Sequence, residues 1–290
     1  MMKIIFSLSC LLLSVTGLIA QKTDKKLQAK IEALIRGFNG EIGIYVKNIK
    51  KNSVVAINAD SVFPTASMIK VPILIGIMDK ISKDELHYHQ DQVYSDSLLY
   101  AGVDILGSFK SGEKIELSKL MMLMLTMSDN TASLWLQSLA GTGTRINELL
   151  DSLGFTITRV NSRTPGREVN RELYGWGQTS PKEMAALLEK IYRGQVVNDS
   201  LSSKMQRLLG RSYWDEEALS QIPPTIEVFS KSGAVDETRN EVLLVNAPHR
   251  PYLFCICTKN NKDQSWTPDN EAWVLTRRIS LLLWKYFEPD

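Results

Sequence analysis

The sequence predicts a mixed α/β protein of the α+β type. An antiparallel sheet is flanked by N- and C-terminal helices, and an all-helical domain is inserted into it. Strand-like segments occur in two clusters, at residues 41–57 and 226–258. Helical patterns fill the interval at 68–209, and two amphipathic helical patterns lie at 24–37 and 270–287. We therefore expect the two strand clusters to complete one sheet, with the terminal helices packed on it.

The composition is that of an ordinary globular protein with room for a sizeable core. The chain has 290 residues, of which 44% are apolar and 23% are charged, and its formal net charge is +2. Lys and Arg are scattered among Asp and Glu instead of forming a basic stripe, which argues against a nucleic-acid partner.

The first twenty residues differ in character from the rest. Lys3 precedes an almost wholly apolar run over residues 4–20, and small Ala20 is followed by polar Gln21. This layout is typical of a secretory signal peptide, so we expect a secreted, periplasmic protein with no stable membrane span after cleavage. An uncleaved membrane anchor is the alternative, because the run is near the lower length limit for crossing a bilayer.

The first elements after this segment are a helix and a hairpin. Apolar residues recur at helical spacing within residues 24–37. Residues 41–47 and 54–57 are rich in β-branched residues, and the polar segment at 50–53 is typical of a turn. The two strands are therefore expected to pair.

The middle of the chain is predicted to be helical. Ser180 as a cap, Pro181 at the first helical position and Glu183 three residues after the cap predict the start of a helix that ends near Gly194. Pro72 interrupts the helical pattern at residues 68–81. The remaining patterns occupy residues 117–127, 132–139, 146–153 and 201–209.

The last third of the chain returns to strands. Short β-rich segments lie at residues 226–230, 241–246 and 252–258. Cys255 and Cys257 share one face of the last segment. We interpret them as buried small apolar residues, because an extended chain holds their Cα atoms near the upper limit for a disulfide.

These elements predict a discontinuous domain organisation. Residues 1–20 form the signal peptide, residues 21–63 and 213–290 form the sheet domain, and residues 64–212 form the all-helical domain. The interface between two such lobes is a usual place for a binding site.

Ser67 and Lys70 are the first candidates for chemistry. They lie three residues apart where a helix begins, which places them on one face. A serine hydroxyl needs a nearby base to become a useful nucleophile. A lysine serves as that base when burial or other cations lower its pKa.

Two further motifs are modest individually. Ser128 and Asn130 belong to a Ser-Asp-Asn triplet that follows the Met-rich helix, and such a triplet is ordinarily a helix cap. Lys231 and Ser232 precede a glycine and Ala234 at the end of a predicted strand, where a turn is the plain interpretation. The order, element type and separation of all three motifs fit one known arrangement.

At these places the chain resembles the class A β-lactamases and their penicillin-binding relatives, which carry Ser-x-x-Lys, Ser-Asp-Asn and Lys-Thr-Gly motifs. The resemblance covers nearly the whole mature chain, and Lys-Ser-Gly keeps the hydroxyl of Lys-Thr-Gly. It implies a β-lactamase/transpeptidase-like fold and a serine hydrolase that forms an acyl-enzyme at Ser67. It also implies an anionic substrate with a lactam or amide carbonyl.

The resemblance also implies roles for individual residues. It makes Lys70 the base and Ser128, with Lys231, the proton path to the leaving nitrogen. The substrate-binding residues that it implies are Asn130 for the side-chain amide, Ser232 and Arg239 for the carboxylate, and Ala234 with Ser67 for the oxyanion hole.

The chain departs from the family in the loop that carries the deacylating glutamate. Counting back from the predicted helix start places Thr164 at the position of this glutamate, whereas matching the nearby Val-Asn pair places Gly166 there. Neither register supplies a carboxylate. Glu168 is the nearest candidate replacement and Glu172 a weaker one. A surface carboxylate among the neighbouring arginines is the alternative interpretation of Glu168.

The expected function is β-lactam hydrolysis by a monomer that uses no cofactor or metal. The His87-Tyr88-His89 segment lacks a third ligand cluster, so it does not predict a metal site. Two alternatives stay open, a peptidase or esterase acting on D-amino-acid cell-wall fragments, and a penicillin-binding sensor or trap that is acylated without turnover.

Overall fold

The computed structural model describes residues 21–102 and 104–289, so the predicted signal peptide lies outside the described residues. The helices are α1 (Lys25–Ile35), α2 (Lys70–Ser82), α3 (Leu117–Met122), α4 (Asn130–Leu139), α5 (Thr142–Ser152), α6 (Glu168–Tyr174), α7 (Pro181–Tyr192), α8 (Asp199–Leu209) and α9 (Glu271–Phe287). The strands are β1 (Lys22–Thr23), β2 (Glu41–Asn48), β3 (Ser53–Ile57), β4 (Phe63–Pro64), β5 (Asp91–Val93), β6 (Lys114–Glu116), β7 (Arg159–Val160), β8 (Gly177–Thr179), β9 (Val228–Val235), β10 (Thr238–Val245) and β11 (Tyr252–Lys259).

The two strand clusters form one six-stranded sheet in the order β1-β3-β2-β11-β10-β9. β2 and β3 form the predicted hairpin, β9 to β11 form an antiparallel meander, and β11 pairs with β2 to join the clusters. The short β1 adds a parallel edge to this otherwise antiparallel sheet. The predicted fold class is therefore confirmed.

Each face of the sheet has its own hydrophobic core. Apolar residues of β2, β10 and β11 alternate between the faces. One face packs on α1 and α9, and the opposite face packs on the helices between α2 and α8. Cys255 and Cys257 are both buried in the second core, with their sulfurs 3.9 Å apart. This core contains residues of both predicted domains, so it does not separate them. The domain boundaries therefore stay a prediction.

Strand β9 is longer than the sequence predicts. The prediction ends this strand at Ser230, but the structure continues it to Val235, and the turn to β10 contains Asp236 at φ 41°. The polar Lys-Ser-Gly segment looks like a turn by composition. It is held in the strand by its pairing with β10, in which Lys231 is opposite Val242.

The Met-rich helix is also different in detail. The sequence predicts one helix over residues 117–127, whereas α3 ends at Met122 and a π-helical turn, Leu123–Met127, follows it. Such turns are rare and recur at functional sites. Pro72 does not break α2, because it lies in the first helical turn, where its missing N–H is not needed.

Some short elements were not predicted. They are a three-stranded sheet in the order β4-β8-β7, a two-stranded sheet of β5 and β6, and helix α6. Strands of two or three residues are too short to show a periodic pattern. Within the described ranges, no helix combines the length and apolarity needed to cross a bilayer.

Candidate active site

Ser67 lies at a sharp change from strand to helix. β4 pairs with β8, and the next residue, Thr65, donates its N–H to Gly177 O at 2.9 Å. Ala66 then adopts a left-handed conformation with φ 44°, which costs a residue with a side chain about 1–2 kcal/mol. A 3₁₀ turn at Ala66–Ile69 leads into α2. Backbone strain of this kind concentrates at functional sites.

Lys70 joins the two predicted serines. Its side chain is buried, and its Nζ lies 3.1 Å from Ser67 Oγ and 3.0 Å from Ser128 Oγ. The same Nζ donates to Asn130 Oδ1 at 2.8 Å and to Ser128 O at 2.5 Å. The first two sequence motifs therefore meet at one amino group, and all of its side-chain partners are uncharged.

The segment around Ser128 is fixed by two carboxylates. Ser128 ends the π-helical turn in a left-handed conformation, with φ 59° and ψ 32°. Asp129 accepts from the N–H groups of Ala132 and Leu106. Asp104 accepts from the N–H of Asn130 at 2.9 Å. By binding these backbone N–H groups, the two carboxylates hold the segment so that the Ser128 and Asn130 side chains face Lys70.

Strand β9 forms the opposite side of the cluster. A Cβ at Gly233 would lie 2.7 Å from both Ser67 N and Thr65 O, so only a glycine allows the strand to approach the nucleophile this closely. Lys231 is buried, with its Nζ donating to Ser232 O at 2.8 Å, and Ser232 is half-buried. Because β9 is the edge of the sheet, alternate N–H groups along it are left free of strand pairing.

Burial dominates the electrostatics of this site. It lowers the pKa of Lys70 well below its ordinary value, and the charge of Lys231 lowers this pKa further. Burial also lowers the pKa of Lys231 to about 8 and raises that of Glu241, on the neighbouring strand, to about 8. The lowered pKa favours the neutral form of Lys70 and suits it to accept a proton from Ser67.

Arg239 does not join the cluster in this structure, so its predicted role in binding a substrate carboxylate stays a prediction that the geometry does not support. Its side chain is buried, and its guanidinium donates to the backbone carbonyls of residues 236, 238, 264 and 265. It also lies 4.4 Å from the ring centre of Trp266 and 4.9 Å from that of Trp273. In this conformation the two terminal nitrogens bind the protein's own backbone, and the buried side chain is not accessible to a ligand.

The loop before α7 is held by hydrogen bonds between one arginine and several neutral amide side chains. Arg167 donates to Asn161 Oδ1 and to Gln178 Oε1, and Asn170 donates to the same Gln178 oxygen at 3.0 Å. Thr164, one of the two positions predicted to align with the family's deacylating glutamate, is buried and donates to a carbonyl of its own loop.

Glu168 lies at the first residue of α6 and is exposed to solvent. Its carboxylate accepts from the N–H of Gly166, the second aligned position, at 3.1 Å. Glu172 is also exposed on this helix. The structure thus gives neither carboxylate a contact with Ser67 or Lys70, and the role of Glu168 as deacylating base stays a prediction.

Sequence reasoning missed two positioning residues. Asp104 holds the backbone of the Ser-Asp-Asn segment from 26 residues upstream, and no local pattern marks it. Asn240 donates to Pro64 O at 2.7 Å and accepts from the N–H of Thr258, which ties β10 to the approach to Ser67. Its two partners lie 176 and 18 residues away along the chain, so no local pattern marks it either.

The fold and the meeting of the three motifs define a protein of the penicillin-recognising class. The chain belongs to the β-lactamase enzyme family, whose pattern it matches over residues 26–287. The family and the fold support a β-lactam hydrolase-like function for this chain.

Individual relatives are distant but cover nearly the whole chain. The chain is 23% identical to the β-lactamase VEB-1 of Pseudomonas aeruginosa, over 99% of each protein. Its fold is similar to that of PBP-A, with a TM-score of 0.81 and 21% identity over 92% of this chain and 98% of that one. A β-lactamase from Chitinophaga pinensis has the same TM-score, with 17% identity over 90% of this chain and 99% of that one.

Proposed function

We propose that this protein opens β-lactams by acylation of Ser67 and then hydrolyses the acyl-enzyme slowly. The observation that carries the proposal is the position of Lys70. Its buried amino group has a lowered pKa and lies within hydrogen-bonding distance of both Ser67 Oγ and Ser128 Oγ.

Acylation begins when Lys70 accepts the hydroxyl proton of Ser67. The serine oxygen attacks the lactam carbonyl and forms a tetrahedral oxyanion. Two backbone N–H groups, those of Ser67 and Ala234, stabilise this oxyanion, and a donor of this type contributes about 3 kcal/mol. The close contact of Gly233 with Ser67 N supports this pairing, because it places the next residue of β9 beside the nucleophile.

Collapse of the oxyanion breaks the bond to the lactam nitrogen, which needs a proton. Ser128 donates its hydroxyl proton to the nitrogen and is reprotonated by Lys70 across the 3.0 Å contact. Lys70 returns to its neutral form, and the acyl group remains on Ser67. Asn130, which also contacts Lys70, binds the side-chain amide of the substrate.

The substrate carboxylate is assigned to Lys231 and Ser232. Lys231 supplies the positive charge, and the half-buried Ser232 supplies a hydroxyl at the edge of the sheet. Arg239 is left out of this assignment, because its side chain is buried and its two terminal nitrogens donate to backbone carbonyls.

Deacylation needs a base within about one water molecule of the ester carbonyl. Lys70, neutral again after acylation, is the base already in place. It takes a proton from the water that attacks the ester and passes this proton to the Ser67 oxygen as the ester bond breaks. Ser67 thereby recovers its hydroxyl, Lys70 is neutral again, and the product acid leaves. Deacylation is the slow step, because Lys70 acts as the base without the help of a carboxylate. Glu168 is the alternative base, and it requires α6 to turn its carboxylate away from Gly166.

A second candidate function is a penicillin-binding trap that is acylated but does not turn over. The uncharged side-chain partners of Lys70 and the exposure of Glu168 favour this candidate. So does the likeness in fold to PBP-A, of which a mutant is known as an acyl-enzyme complex with penicillin G.

A progress curve with a chromogenic cephalosporin separates these functions. The proposal predicts a burst of one product per protein, followed by a slower steady rate, with the adduct visible by intact-protein mass spectrometry. A burst with no steady rate identifies the trap. The absence of both burst and adduct contradicts the proposal.

Export and a monomeric state complete the proposal. The signal-like pattern before Gln21 supports cleavage after Ala20. N-terminal sequencing of the protein recovered from the periplasm tests the cleavage site.

A further inference from the structure

The segment that follows α8 is attached directly before Ser128. The N–H of Tyr213 donates to Thr126 O at 3.1 Å, and the indole Nε1 of Trp214 donates to Met127 O at 3.0 Å. Both carbonyls belong to the π-helical turn that ends at Ser128. The Trp214 ring and the backbone of Tyr213 are therefore positioned by the same turn that positions a proposed proton donor.

Both rings remain in contact with solvent although they are held in place. Tyr213 is 61% exposed and Trp214 is 49% exposed, and the rings pack edge to face with centroids 5.2 Å apart. Ser212 Oγ donates to Trp214 O and fixes the turn between them. Large aromatic side chains are normally mostly buried, and rigid exposed ones are typical of recognition sites.

We infer that Tyr213 and Trp214 bind a planar, uncharged aromatic substituent on the leaving-group side of the substrate. This inference rests on the proposed function, in which Ser128 protonates the leaving nitrogen. The rings are attached to the carbonyls of residues 126 and 127, directly before Ser128, which is the proposed proton donor to the leaving nitrogen. A substituent attached near that nitrogen is therefore the part of the substrate assigned to the two rings.

The acyl half of the substrate has a different environment. Asn130 provides a polar amide there, and it is held between Lys70 and Asp104. The two halves of the substrate are thus recognised by different chemistry, a hydrogen-bonding side chain for the acyl half and two aromatic faces for the leaving half. Aromatic pairing of this kind increases the rate constant for acylation about three- to tenfold.

The test compares two cephalosporins that share one acyl side chain. The first carries an aryl group on the six-membered ring, and the second carries a methyl group at the same place. The second-order rate constant for acylation of Ser67 is measured by intact-protein mass spectrometry, so the result does not depend on turnover. In Trp214→Ala the ratio of the aryl to the methyl rate constant falls about three- to tenfold from the parent value.

Three further variants complete the design. Trp214→Phe keeps a ring and retains most of the parent ratio. Tyr213→Ala keeps its backbone bond to Thr126 and lowers the ratio, which preserves the test if Trp214→Ala does not fold. Trp266→Ala removes another exposed tryptophan, 64% exposed on the Arg239 side, and leaves the ratio at the parent value.

The outcomes separate the inference from the proposed function. An unchanged ratio in Trp214→Ala and Tyr213→Ala overturns the inference, while acylation of Ser67 in the parent still supports the proposed function. If neither compound acylates the parent, the proposed function fails and the inference fails with it.

Discussion

Lys70 is the residue whose surroundings explain most of the proposed chemistry, because its amino group is buried. A charged ammonium is expensive to bury unless it is paired with an opposite charge, and the side-chain partners of Lys70 are neutral oxygens. Desolvation therefore favours the uncharged amine. The same burial that destabilises the charge makes Lys70 a proton acceptor for Ser67.

The pH dependence of acylation follows from the two lysines. Acylation needs Lys70 neutral, so the rate rises with pH through its lowered pKa. Binding a carboxylate needs Lys231 charged, so the rate falls again as pH rises through about 8. The acylation rate constant measured between acidic and alkaline pH should be bell-shaped for a carboxylate substrate. It should lack the falling limb for the neutral ester of that substrate. A rate that rises only near the ordinary lysine pKa would contradict this account.

Arg239 provides a second prediction at this scale. Arg239→Ala leaves several buried carbonyls without a donor and removes the cation stacked on Trp266 and Trp273. We expect a loss of about 3 kcal/mol in the free energy of unfolding, measured by urea denaturation. Arg239→Lys should recover only part of it, because lysine lacks the planar fork. Carboxylate substrates and their neutral esters should lose acylation rate equally. A selective loss on the carboxylate would restore the role predicted from the sequence.

At the scale of elements, the site is assembled from the ends of α2, the π-helical turn and strand β9. Local signals predicted several of these parts. The Ser180 cap and Pro181 marked the start of α7, and Ser180 does accept from Glu183 N. The extension of β9 could not be predicted locally, because its polar residues are held in the strand by pairing with β10.

The same limit explains which site residues were predicted. Ser67 and Lys70 are one helical turn apart, so sequence spacing was enough to bring them together. The partners of Arg239 include carbonyls about 25 residues further along the chain, at Gln264 and Ser265, and no local pattern announces them. Asp104 was missed for the same reason. Contacts that depend on tertiary packing require the structure.

Helix α6 carries the prediction about deacylation. Glu168 is exposed and bound to Gly166, so Glu168→Gln, which keeps an acceptor oxygen, should turn over a chromogenic cephalosporin within about twofold of the parent rate. Glu172→Gln on the same helix is the matched control. Accumulation of the Ser67 adduct in Glu168→Gln alone would instead identify Glu168 as the deacylating base.

For the whole molecule, the sheet serves both as a core and as one wall of the site. α1 and α9 cover one face, joined by the Tyr286 hydroxyl, which donates to the Asp24 carboxylate. α7 and α8 pack on the opposite face, and β9 at the edge meets the nucleophile. Ala66 and Ser128 have strained backbone conformations with positive φ angles, and the packing of the surrounding elements maintains them.

The central claim is that Ser67 is acylated with Lys70 as its base. The most direct measurement is peptide mass mapping after exposure to penicillin G, for the parent, Ser67→Ala and Lys70→Arg. The account predicts one penicillin on the peptide that contains Ser67 in the parent, no adduct in Ser67→Ala, and almost none in Lys70→Arg, which cannot accept a proton near neutral pH. A label on another residue, or undiminished labelling of either variant, would contradict it.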